Sequence, residues 1–217
     1  MVSERFIKNL QEDYALKRKE IKARLREFKQ KGKSSNRELF EELAFCILTA
    51  NASAKMGLRA IEAIKDIIHK GTAEEISKAI KGSHRFWRIR PAFIYETREY
   101  LKKEYKLDIK RILSSYKGHP YELRDFFALN KKIKGIGFKE ASHFLRNIGY
   151  RGYAILDKHI LNCLYEFGVL EKNVRPSNRK DYLYIESKMK KFSKEINIDI
   201  DELDLLLWSR QTGEILK

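Results

Sequence analysis

With 217 residues, 43% of them apolar and 12% aromatic, the chain can build a core for one domain or two small ones, which excludes a disordered polyelectrolyte. Forty-six Lys and Arg against 30 acids leave a net charge of +16, a surplus that draws polyanions such as nucleic acid. No apolar run approaches the roughly 20 residues of a membrane span, and the two cysteines, Cys46 and Cys163, cannot ligate a four-cysteine zinc or iron–sulfur site.

In chain order the apolar periodicity is helical, and the predicted class is all-α. The first thirty residues are charged, with Phe6, Leu10, Tyr14 and Leu16 as a stripe, and lead into a turn at 31–35. Ser35 with Glu38 forms a capping box for a helix that turns Leu39, Leu43, Ile47 and Leu48 inward. A helix bearing Leu58, Ile61, Ile64 and Ile68 stops near Gly71, and Thr72 with Glu75 opens the next, which ends at Gly82. Pro91 suits a first helical turn ahead of Phe93, Tyr95 and Leu101. Residues 114–120 read as a loop and 121–129 as a short helix. Further helices are expected over 139–149, over 158–167 with Asp157 at its start, and over 181–196 after a basic linker at Arg175 and Pro176. Asp199 and Glu202 cap the last helix, which points Leu203, Leu206 and Leu207 inward until Gly213 breaks it. No internal repeat is found.

The densest chemistry lies between Lys134 and His159. Gly135 and Gly137, one residue apart ahead of a helix, give a tight turn whose N–H groups can face a phosphate. Ile133, Ile136 and Ala141 flank the turn where two helices would lock together. Lys139 then opens a helix, and Asp157 follows 18 residues later. Plainer readings stand beside these. The glycines could form an ordinary helix corner, Lys139 could be a phosphate contact, and Asp157 could be an N-cap. Arg85, Arg88 and Arg90 interleave with Phe86, Trp87, Phe93 and Tyr95, a mixture that suits either a nucleic-acid face or core packing.

The run from Lys134 through Gly149, followed by Ala154 to His159, resembles the helix-hairpin-helix DNA glycosylases, and among them the short archaeal-type 8-oxoguanine glycosylase/lyases. The likeness is sharpest over 129–164 and extends to 45–51, 88–95 and the tail 208–217. It implies a two-lobed, all-α fold with the active site in a cleft between the lobes. One lobe would span 36–134, and the other would combine 1–35 with 135–217. It further implies excision of 8-oxoguanine from damaged double-stranded DNA by lysine attack on C1′, then β-elimination at the abasic site. Lys139 matches the nucleophile and Asp157 the aspartate that stabilises positive charge on the sugar. Lys134, Gly135, Gly137 and His159 fall on phosphate-contact positions, and Asn51 on the position that fills the gap left by a flipped base. Trp208 and Lys217 match the tail that builds the 8-oxoguanine pocket.

No cofactor is implied, although members of this family often hold a monovalent cation between hairpin carbonyls and a phosphate. The same resemblance implies a monomer that needs no membrane, in the cytoplasm of a prokaryote. Two alternatives stay open. An oxidised-pyrimidine glycosylase of endonuclease III type shares the lysine and aspartate but usually has an iron–sulfur cluster, for which this chain lacks ligands. A non-catalytic helix-hairpin-helix module would use the hairpin only to hold DNA.

Overall fold

The computed structural model describes residues 4–215, and every regular element among them is a helix. In chain order these are α1 (Glu4–Lys31), α2 (Asn36–Thr49), α3 (Ala54–Ile64), α4 (Ala73–Ile80), α5 (Arg90–Tyr105), α6 (Ile109–Ser115), α7 (Pro120–Leu129), α8 (Phe138–Asn147), α9 (Lys158–Glu166), α10 (Arg179–Glu195) and α11 (Ile200–Thr212). The expected all-α class is what the chain adopts. Two compact units share it, one made of Lys31–Phe144 and the other of the flanking segments, up to Gln30 and from Leu145 onward.

The middle unit is organised around α2. Leu39, Phe40, Leu43, Phe45, Ile47 and Leu48 are all within 1% of full burial, and α3, α5 and α6 pack around them. Each such side chain contributes roughly 1.5–3 kcal/mol when withdrawn from water. The helix begins as the sequence predicts, with Ser35 and Glu38 exchanging both capping-box bonds. Thr72 and Glu75 do the same for α4.

In the other unit α9 and α10 pack on α11. Along α1, Gln11 Nε2 donates to the Ile196 carbonyl (3.1 Å), Tyr14 OH donates to the Glu202 carboxylate, and Lys17 Nζ donates to Ser209 Oγ (3.1 Å). The apolar stripe of α1 is Leu10, Ile21 and Phe28, whereas Leu16, expected on it, is 84% exposed. The reason is rotational. Six residues of helix carry Leu16 ~240° from Leu10, whereas eleven and eighteen bring Ile21 and Phe28 back to within ~20° of it. Leu58 is likewise exposed, whereas Ile64 is buried as expected, with Ala60 beside it. Helix α6 occupies 109–113, which carried no predicted element, and the first two residues of the predicted loop. Pro120, assigned to the loop, opens α7 at a position where a missing N–H is harmless.

Candidate active site

Helices α7 and α8 enclose the hairpin 130–137. Arg124 in α7 donates to Ser142 Oγ in α8 at 3.3 Å, and the Phe127 and Phe144 rings meet with centroids 5.0 Å apart. Asn130 shapes the turn between them. Its Oδ1 accepts from the Lys132 N–H (3.0 Å), its carbonyl from the Ile133 N–H (2.9 Å), and its Nδ2 donates to Tyr100 OH (2.9 Å). Ile133, Ile136 and Ala141 are buried, as their spacing predicts. The Lys134 N–H is not available to a phosphate, because it donates to Thr97 Oγ1 at 2.8 Å, while its Nζ lies 3.9 Å from Glu96.

Gly135 has φ +72°, and a Cβ there would stand 2.7 Å from the Phe93 ring and 2.9 Å from an Arg90 nitrogen. Gly137 is exposed and forms the N-cap of α8, its carbonyl accepting the first helical bond from Ala141 (2.8 Å). A glycine N-cap has no side-chain oxygen to satisfy the first-turn N–H groups. Glu140, at the third helical position, supplies half of a capping box by accepting from the Gly137 N–H at 3.2 Å. Its other oxygen is 3.3 Å from Lys139 Nζ, and the lysine side chain is 25% exposed. A single carboxylate thus holds both the turn and the amine beside it.

Arg90 ties this turn to Asn51. Its Nη2 donates to the Ala50 carbonyl (3.1 Å), and its guanidinium lies 5.3 Å from the Phe86 ring centre and 5.4 Å from that of Phe93. Burial pushes Arg90 down from its ordinary value, and the Glu140 charge opposes the shift. Asn51 itself is exposed with φ +55°, a left-handed conformation that asparagine tolerates better than most residues. Just before it, the Leu48 carbonyl accepts from His84 Nε2 (2.9 Å), whose Nδ1 accepts from the Phe86 N–H (3.2 Å). Those partners assign a neutral imidazole with its proton on Nε2.

In the other unit, Asp157 is the N-cap of α9, and its Oδ1 accepts from the Ile160 N–H at 2.8 Å. The capping role predicted as the plain alternative is therefore real, and it fixes the carboxylate. His159 is half-buried in the first turn of the same helix. The extended segment that delivers Asp157 hangs on carboxylates of α10 and α11. Gly152 N–H donates to Asp201 (3.0 Å), Ala154 N–H to Glu186 (3.1 Å) and Ile155 N–H to Asp204 (3.1 Å). Tyr182 OH donates to the Ala154 carbonyl (2.7 Å) and accepts from the Leu156 N–H (3.3 Å). Asp201, Asp204 and Trp208 recur at helical spacings of three and four on α11, and Trp208 is half-buried. Past the helix, the Ile215 carbonyl accepts from Arg24 Nε (3.3 Å) and Nη2 (3.2 Å). Lys217 lies outside the described residues.

The middle unit therefore brings together Asn51, Gly135, Gly137 and Lys139, and the other holds Asp157, His159 and Trp208. Sequence reasoning missed Glu140, Asn130 and the carboxylates behind Asp157, and named Arg90 only within a basic–aromatic mixture. One signal was present: Asp201 and Asp204 stand among Leu203, Leu205, Leu206 and Leu207, and acids on an apolar face need partners.

The family model for 8-oxoguanine DNA glycosylase matches residues 21–198. An 8-oxoguanine DNA glycosylase/AP lyase of Korarchaeum cryptofilum is 42% identical over 91% of this chain and 90% of that protein. The protein of that name from Methanocaldococcus jannaschii is 41% identical over 97% of this chain and 99% of its own length. The crystal structure of the M. jannaschii 8-oxoguanine glycosylase/lyase with a 15mer DNA containing 8-oxoguanine superposes with a TM-score of 0.88, at 39% identity over 98% of this chain and 99% of that one. The 8-oxoguanine DNA glycosylase of Thermotoga maritima gives 0.86 at 35% identity, covering 99% of both chains. Matched along most of its length in sequence and in fold, the chain belongs to the 8-oxoguanine DNA glycosylase family.

Proposed function

We propose that this protein excises 8-oxoguanine from double-stranded DNA and then cleaves the strand at the abasic site. The observation that supports it most is Lys139, an amine in the first turn of a helix that opens from a glycine hairpin, in a chain so similar to a glycosylase/lyase crystallised on 8-oxoguanine DNA. Once deprotonated, Nζ attacks C1′ and forms a C–N bond as the bond to the oxidised base breaks, the base leaving with that electron pair. Nζ then gives up a proton, its lone pair forms the iminium as the C1′–O4′ bond opens, and O4′ takes up a proton. Loss of a proton at C2′ expels the 3′ phosphate, and water returns the free amine.

Asp157 stabilises the positive charge that develops on the sugar, and its capping bond keeps it rigid. A base inside a duplex cannot be reached, so the lesion is turned out into a pocket in which Trp208 supplies the aromatic face and Lys217 closes the tail. Asn51 fills the space left in the stack. Gly135, the Lys134 ammonium and His159 hold phosphates beside Gly137, whose N–H is engaged by Glu140, and this positions the duplex without reading its sequence. The turn 130–137 contains no carboxylate, so a monovalent cation there would be held by main-chain carbonyls and would add positive charge toward a phosphate. The protein acts as a monomer, in the cytoplasm.

Borohydride trapping on duplexes with 8-oxoguanine, an oxidised pyrimidine or an abasic site tests the reading. A covalent adduct on 8-oxoguanine DNA is expected, and Lys139→Gln is expected to abolish both adduct and cleavage while still binding the duplex. Strand cleavage by that variant would overturn the nucleophile, and an adduct on the oxidised pyrimidine alone would overturn the substrate.

A further inference from the structure

Asp204 is a deeply buried charge-bearing group near the proposed site, and no step above uses it. Only 2% of the residue is exposed, on an α11 face that it shares with Asp201, Leu207 and Trp208. Its two oxygens reach different elements. Oδ2 accepts from Arg146 Nη1 at 2.8 Å, in the last turn of α8, and Oδ1 accepts from the Ile155 N–H at 3.1 Å, two residues before Asp157. The next main-chain bond, from the Asp157 N–H to the Ile155 carbonyl (2.8 Å), closes a tight turn that aims the Asp157 side chain. Arg146 is itself buried and also holds Asn147 Oδ1 at 3.2 Å.

We propose that Asp204 is a positioning residue: bridging Arg146 and the Ile155 N–H, it holds the turn that sets the Asp157 carboxylate where the reaction needs it. The inference rests on the role given to Asp157 above. A bond to an ionised acceptor is roughly twice as strong as one to a neutral acceptor, so the bridge is tight when Asp204 is charged and slack when it is protonated. The charged groups facing it are Arg146 from α8, Asp157 at the start of α9 and Asp201 from its own helix. Glu186 and Tyr182 of α10 hold the neighbouring positions of the same segment. Burial pushes Asp204 up to about 7, with Asp157 and Asp201 adding to the shift and Arg146 and the Ile155 N–H opposing it. The bridge therefore changes state near neutral pH.

The test is single-turnover excision on an 8-oxoguanine duplex at pH 5.5 and 8 for the wild type, Asp204→Asn, Asp157→Asn and the double variant, with duplex affinity and unfolding midpoint measured alongside. Asparagine keeps an acceptor for Ile155 and fixes the neutral state. Asp204→Asn is expected to match the wild type within about twofold at pH 5.5 and to fall roughly tenfold or more behind it at pH 8, in line with the cost of a misplaced catalytic group. Duplex affinity should not change, and Asp204→Asn should have no further effect in the Asp157→Asn background. Equal rates at pH 8 overturn the inference, as does a loss of the same size at both pH values with lower affinity or midpoint, which marks a purely structural residue. If Asp157→Asn keeps full activity, the role of Asp157 falls first and the inference with it. If Asp157→Asn is inactive and Asp204→Asn is not, only the inference fails.

Discussion

At Gly135 two requirements coincide. Its φ of +72° lies where L side chains are strained, and an added Cβ would meet Phe93 at 2.7 Å and Arg90 at 2.9 Å. Arginine has a mobile end, but the Phe93 ring is part of the packing beside it and must shift. Gly135→Ala should therefore destabilise by about 2 kcal/mol or more. It should also weaken duplex binding by moving the turn, whereas Gly152→Ala, with open space around its Cβ, should pay only the backbone strain of its φ of +83°. Denaturant midpoints of the two variants make the comparison, and an equal loss in both would show that the contact with Phe93 adds nothing. Glu140 shows the same economy at a neighbouring position. Its carboxylate meets both the Gly137 N–H and the Lys139 amine, so the residue after Lys139 is part of the turn as well as of the helix.

Among the elements, the end of α2 is held from outside itself. A helix leaves its last carbonyls without partners. Here His84 takes the carbonyl of Leu48 and Arg90 that of Ala50, which fixes the left-handed Asn51 that follows. Burial depresses His84 below its ordinary 6.5, and the nearby Arg85 and Arg90 charges depress it further. The stability from its neutral form is therefore present above pH 6.5 and is lost as pH falls through the depressed value. Replacing it with glutamine, which can still donate to Leu48, should flatten the fall in melting temperature between about pH 7 and 5. An unchanged slope would show that His84 binds its proton equally well in the folded and unfolded chain. The caps at Ser35, Thr72, Asp199 and Gly213 were legible in the sequence because each is a local exchange within four residues. Lys139 and Asp157 were singled out in the sequence through one motif, 18 residues apart. The supports behind them were not. Arg146 and Asp204 are 58 residues apart, Ile155 and Asp204 are 49, and Ala154 and Glu186 are 32, so nothing local announces the pairing. Leu16 failed in the opposite way, as an apolar residue counted without its rotation about the helix.

For the whole molecule, the surplus of +16 is spread unevenly along the sequence. Residues 130–139 hold four lysines and no acid, and residues 81–95 hold Lys81, Arg85, Arg88 and Arg90 and no acid. Both stretches belong to the middle unit, where Arg90 stands against Gly135. Acids elsewhere are largely engaged as caps and ion pairs, as at Glu38, Asp199 and Asp201, and within these stretches Lys134 and Lys139 meet Glu96 and Glu140. Each phosphate neutralised releases counterions and lowers the slope of log affinity against log salt by about 0.9. Lys131 and Lys132 are both exposed at the start of the hairpin, and neither has been given a role in chemistry. Changing both to glutamine should make the salt slope shallower by roughly 2, because two phosphate contacts are removed. The preference for 8-oxoguanine over guanine should survive intact, since phosphate contacts position the duplex and say nothing about the base. Binding isotherms of the wild type and the double variant on damaged and undamaged duplexes, taken across a salt series, measure both quantities at once. A slope unchanged by the double substitution would move the DNA track away from the mouth of the hairpin, and a loss of preference with an unchanged slope would make these lysines part of lesion recognition instead.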